Sequence, residues 1–165
     1  MKHVYTISDL RENSLPENAK LAVLGYPVSH SASPQMHQAA LDALNIDISY
    51  IRLELKPGEL TEAFTLMQGL GFLGCNVTIP HKERVMDIAD VVSDRATLIG
   101  AANTLIFGKD AQIHADNTDG YGFIENLRQN APNWNPTSGP AAVLGAGGAS
   151  RAILVALADA GVPEI

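Results

Sequence analysis

A chain of 165 residues that is 46% hydrophobic and 18% charged is long enough to bury a substantial core and reads as globular. Its formal net charge of −7, with no run of lysines or arginines, lacks the electrostatic footprint of a nucleic-acid or anionic-membrane binder, so a small molecule is the expected partner. Cys75 is the single cysteine, which excludes an intrachain disulfide and a cysteine-pair zinc site and leaves it the role of a small buried side chain.

The first twenty residues mix Lys2, Asp9, Arg11, Glu12, Glu17 and Lys20 with few apolar positions. Neither a signal-peptide apolar region nor a membrane span is expected there, and the cytoplasm is the expected compartment. Asn13, Ser14, Pro16 and Asn18 interrupt any period, so residues 1–19 are expected to be a loosely packed N-terminal extension. Leu21 to Pro27 is a short apolar run closed by Gly25 and Pro27, the pattern of a buried strand ending in a sharp turn. Ser33 before Pro34 marks a helix start, running to about Leu44. Ile48 to Leu55 alternates as a strand does, and Leu60, Phe64, Met67 and Leu70 recur at helical spacing before Gly69 and Gly71 stop them.

The next strand, FLGCNVT, leads through Pro80 into Lys82. Apolar residues from His81 to about Val92 recur at helical spacing and predict a helix. ATLIGAANTLIF enters a further strand, Gly108 to Asp110 supplies a turn, and AQIHAD is the expected hairpin partner. Asp119 and Gly120 introduce a helix to about Asn130, followed by a linker or long loop, APNWNPTSGP. The last 25 residues read as a strand, a glycine-rich turn and a helix. The whole pattern predicts an α/β protein: a mostly parallel sheet with flanking helices over residues 20–118, then, over 119–165, a linker helix and the start of a Rossmann-type nucleotide-binding domain.

Five stretches carry candidate chemistry, four of them with a plain structural alternative. In GAGGASR, Gly145 allows a tight turn, Gly147 lets the backbone approach a pyrophosphate, and the helix N-terminus favours negative charge; Ser150 stands where the strict dinucleotide pattern has its third glycine. Ser31 and Ser33 offer two hydroxyls at a strand's carboxyl end, suited to a carboxylate or polyol, although Ser33 can equally cap its helix. Asn103 and Asp119 lie beside glycines at element boundaries, where an amide can satisfy backbone groups and a carboxylate can cap a helix. Lys82, taken alone, fits a solvated surface residue as well as a functional one. His30 and His37 match no familiar metal-site spacing, and no metal is expected.

Taken together and in order, GYPVSHSASPQMH, NVTIPHK, GAANT, DNTDGYG and GAGGASR resemble the shikimate dehydrogenase family, with its quinate/shikimate relatives; Gln38 stands where many members have asparagine. The resemblance implies reversible reduction of 3-dehydroshikimate to shikimate with a nicotinamide cofactor, NADP by family default with NAD not excluded. It implies Lys82 and Asp119 as the catalytic pair and Ser31, Ser33, Thr78, Lys82, Asn103 and Asp119 as the substrate site, the serines holding the carboxylate. Gly145, Ala146, Gly147, Gly148 and Ala149 would form the cofactor loop. A monomer or homodimer is expected, with no nucleic-acid or membrane partner.

Hydride delivery to a carbonyl builds negative charge on oxygen, which a positioned ammonium can stabilise and protonate and a nearby carboxylate can orient. Family members continue beyond the residues seen here through the rest of the nucleotide-binding domain. The expectation is therefore a truncated chain whose own activity is weak or absent. A non-catalytic shikimate-binding fragment and a quinate/shikimate dehydrogenase are the alternatives.

Overall fold

The computed structural model describes residues 4–165. Seven strands form one mixed sheet in the order β1-β3-β2-β4-β6-β7-β5. Within it β2 (Ala19–Gly25) is flanked in parallel by β3 (Ser49–Glu54) and β4 (Gly74–Val77). Beyond β4, β6 (Thr104–Phe107) runs antiparallel to it and forms an antiparallel hairpin with β7 (Ile113–Asp116), and β5 (Val91–Val92) pairs in parallel with β7. The predicted α/β class, mostly parallel sheet and single hairpin are all present.

Period-two alternation along β2 divides the core. Ala22 and Leu24 face a large cluster with Leu53, Leu60, Phe64, Met67 and Leu105, while Val23 joins Val28 and Tyr50 on the opposite face. Helix α3 (Leu60–Gly69) covers the first face with Leu60, Ala63, Phe64 and Met67, all buried. Burying side chains of the size of Leu60, Phe64 or Met67 contributes about 1.5–3 kcal/mol each. Helix α2 (Ser33–Ala43) lies against β2 and β3 but has no fully buried residue.

Four expectations fail for identifiable reasons. Residues 5–12 are not a loose lead-in: β1 (Tyr5–Thr6) pairs with β3, and α1 (Ile7–Glu12) buries Leu10 in the main core; residues 1–3 lie outside the described residues. Two strand residues and less than two helical turns are too short to show a period, but Thr6 and Asp9 form a capping box, the Thr6 N–H and hydroxyl donating to the Asp9 carboxylate at 2.8 and 2.9 Å. The helix expected over 81–92 is only a 3₁₀ turn, Arg84–Asp87, followed by β5; pairing of Val91 and Val92 with His114 and Ala115 overrides local helical spacing.

The strand expected from Ala96 begins only at Thr104. Helix α4 (Asp94–Ile99) precedes it, with the Ser93 hydroxyl accepting the Ala96 N–H at 3.1 Å and Gly100, at φ 71°, closing the helix. The strand expected at 141–144 does not form. Of the described backbone, Ala141 bonds only outward to the Glu164 carbonyl at 2.9 Å, and Leu144 is 99% exposed. The two helices foreseen near it do form, as α5 (Asp119–Asn130) and α6 (Gly148–Asp159).

Candidate functional site

Strand direction gathers the singled-out residues. The parallel strands β2 and β4 end side by side, and antiparallel β6 begins where β4 ends. The loop after β2, the segment after β4, the residues entering β6 and those leaving β7 therefore share one edge of the sheet. The Thr78 N–H donates to the Leu24 carbonyl at 2.8 Å and the Tyr26 N–H to the Ile79 carbonyl at 3.0 Å, stitching the first two together. This is the edge at which open α/β sheets bind ligands.

At its middle, the Lys82 ammonium donates to Asp119 Oδ2 at 2.5 Å, while Asn103 Nδ2 donates to Asp119 Oδ1 at 2.7 Å. The two charged side chains are only 17% and 26% exposed, so their attraction is less screened than that of a surface pair. Asp119 is the first residue of α5, and its carboxylate faces the lysine and amide instead of capping the helix.

Asn117, not singled out from sequence, makes this possible. Fully buried, it donates from Nδ2 to the Ala101 carbonyl at 2.8 Å and accepts the Asp119 N–H on Oδ1 at 3.0 Å, fixing the turn into α5. Its place inside DNTDGYG was the signal available. Asp116 braces the same turn. Burial alone would raise its carboxyl, but hydrogen bonds from Ser93, Arg95 and the Asn117 N–H, with the Arg95 charge, outweigh that and hold it below the ordinary range.

His81 anchors the lysine segment from below. It is fully buried, with Nε2 2.8 Å from the Leu55 carbonyl, so the neutral ring carries its proton on Nε2 and donates it there. Burial pushes its imidazolium below the usual range, the Leu55 carbonyl works against this, and the Arg84 charge adds to it. Backbone bonds from the His81 N–H to the Thr78 carbonyl and from the Ala102 N–H to the Lys82 carbonyl, at 3.0 and 2.7 Å, complete the anchorage.

Ser31 and Ser33 lie on the same edge at the end of β2, bonded to each other at 3.1 Å. Ser33 does not cap its helix: it is the helix's first residue, and the Ser31 hydroxyl accepts its N–H at 3.3 Å. Arg52, also missed from sequence, fixes this loop by donating twice to the Ser31 carbonyl at 2.8 and 2.6 Å. Among the described residues no hydrogen bond joins the serines to the lysine cluster.

Thr78 and Lys82 line a cleft of about 330 Å³ whose opposite wall is Gly147, Gly148 and Ala149. Gly145 needs its residue type, since its φ of 129° lies where side chains are disfavoured. Gly147 is extended, and a side chain there would meet open space, so a ligand's phosphate can approach its backbone beside the start of α6. Ser150, at the third glycine position, turns inward and donates to the Gly147 carbonyl at 2.8 Å. These features fit the phosphate end of a dinucleotide.

A family model described as the shikimate dehydrogenase substrate binding domain matches residues 23–105. The chain belongs to the shikimate dehydrogenase family. It is 57% identical over 143 residues to a shikimate dehydrogenase (NADP(+)) of Roseobacter denitrificans, covering 87% of this chain and 52% of the relative. Identity is 58% over 151 residues to one of Paracoccus denitrificans, covering 91% and 54%. The shikimate 5-dehydrogenase of Thermus thermophilus, solved with NADP(H) and shikimate, superposes with a TM-score of 0.81 at 40% identity, covering 88% of this chain and 54% of that one. The chain thus spans about half the length of the curated relatives it matches. No helix among the described residues is long and apolar enough to cross a membrane.

Proposed function

We propose that the chain supplies the substrate-binding half and the start of the cofactor loop of an NADP-dependent shikimate dehydrogenase, reversibly reducing 3-dehydroshikimate to shikimate. The observation carrying this reading is the Lys82–Asp119–Asn103 cluster, whose lysine lines a cleft walled by the glycine loop. NADPH, if bound along Gly145–Ala149, would supply the hydride. Lys82 then faces the oxygen on which negative charge develops and gives it a proton, Asp119 orients the ammonium and a ring hydroxyl, and Asn103 and Thr78 hold the ring. Ser31 and Ser33 take the carboxylate. We place the substrate unit at residues 5–118 and the nucleotide unit from 119 onward, in a cytoplasmic monomer or homodimer.

In an enzyme that carries these residues and turns over, Lys82→Ala is expected to lower kcat by about 10²–10⁴, the range for losing a positioned acid–base group, while changing shikimate affinity far less. Near-normal kcat would sink the assignment.

The unpaired segment 141–144 favours a second reading for the 165 residues alone, a shikimate-binding unit without turnover. Calorimetry with shikimate, with and without NADPH, separates the two: shikimate heat with no NADPH heat supports the binding unit, and NADPH-dependent turnover refutes it.

A further inference from the structure

Gly148 is the first residue of α6, where alanine would favour the helix more, and its backbone lies outside the left-handed region that calls for glycine. The reason for glycine is space. A Cβ built there would lie 3.0 Å from Lys82 Cβ, 3.4 Å from Lys82 Cδ and 3.2 Å from Ala101 Cβ. The neighbouring Gly147 has nothing within 4 Å of the same atom. One turn of chain further on, Arg151 Nη2 pairs with Glu83 Oε2 at 3.1 Å, tying α6 to the residue after the lysine.

We infer that Gly148 is a positioning residue for Lys82: the first turn of α6 forms the wall against which the lysine stem rests, and so holds the ammonium on Asp119. The glycine loop and the lysine become one mechanical unit, and a ligand that shifts the loop shifts the lysine. The catalytic meaning of this rests on the dehydrogenase reading, but the contact does not.

Competitive acetylation of the 165-residue chain, read lysine by lysine by mass spectrometry, tests it. Lys109 and Lys56 are exposed references, and Lys20, which donates to the Leu70 carbonyl at 2.9 Å, reports on the sheet. Gly148→Ala is expected to raise Lys82 labelling several-fold relative to Lys109 with Lys20 unchanged, whereas Gly147→Ala leaves the Lys82 ratio at its original value. An unchanged Lys82 ratio in folded Gly148→Ala, or a joint rise of Lys82 and Lys20, overturns the inference. If Gly148→Ala is too unstable to label, the Ala101→Gly/Gly148→Ala double variant, with one neighbour removed, carries the same test. Unchanged labelling defeats the positioning role and leaves the dehydrogenase reading standing, while near-normal turnover of Lys82→Ala does the reverse.

Discussion

Two walls of one cleft are built by different means. The lysine wall follows β4, a strand paired on both sides, and is fastened by a buried histidine and by backbone bonds to Thr78 and Ala102. The glycine wall follows residues 141–147, which pair with no strand among the described residues, and it is held through α6. That helix packs on α5, and its Ala152 joins Ile99 and Ala101 in a small separate cluster. The backbone of the lysine wall is thus set by the sheet, whereas the glycine loop's place is set by the packing of α6 on α5 and α4.

Removing core from the lysine side should have the largest effect on stability. Phe64 is 1% exposed beneath β2 and stacks edge-on with Phe107 at a centroid distance of 6.1 Å. Phe64→Ala is expected to destabilise the chain by about 3–5 kcal/mol in denaturant titration, the range for emptying an aromatic site. A loss below about 1 kcal/mol would mean that the sheet does not carry the stability assigned to it.

The glycine side should break at its helix contact. A Cβ on Gly120 would lie 2.9 Å from the Ala152 carbonyl and 3.0 Å from Ala156 Cβ. Gly120→Val is therefore expected to cost about 1–3 kcal/mol by overpacking. Hydrogen exchange should locate the damage, with amides of 152–159 exchanging faster and those of β2 and β4 unchanged. Equal acceleration in both regions would show that the walls are not independently held.

The legibility of the sequence follows the same division. β3 and α3 could be read because each presents enough residues to show a period, β2 because its apolar run ends in Gly25 and Pro27, and α5 from the residues that start it. The antiparallel hairpin was legible from Gly108–Asp110. What escaped were elements fixed by partners distant in sequence: β5 depends on β7, and β1 depends on β3. The apolar run AAVL shows the converse, a strand pattern whose pairing is not realised. For the site, residue types and motif order singled out Lys82, Asp119 and Asn103, which prove to be in direct contact. Asn117 and Arg52 escaped because their work is to hold backbone carbonyls and N–H groups in place, which leaves no pattern in composition or period.

A smaller effect should separate the walls by pH. Because burial keeps the folded His81 below its ordinary pKa of about 6.5, the unfolded chain takes up a proton that the folded chain refuses. Its contribution to stability is thus full above about pH 6.5 and is lost as pH falls from there toward the folded value. His81→Phe should flatten stability over that window in denaturant titrations at a series of pH values. The acid-induced rise in hydrogen exchange should be relieved most at β4 and least in α6. An unaltered slope would place the acid sensitivity elsewhere.

The smallest effect belongs to Leu144. A leucine in AAVL reads as core, yet its side chain is 99% exposed, with almost no apolar surface left to release on unfolding. Leu144→Ser should therefore change stability by no more than about 0.5 kcal/mol, as surface substitutions do. The same substitution in a buried strand would remove a core side chain and leave a hydroxyl without a partner, at a cost of several kcal/mol. A loss above about 1 kcal/mol on Leu144→Ser would mean that the glycine wall has its own packed strand after all. Unchanged stability would leave α6 as the element that holds the loop against Lys82.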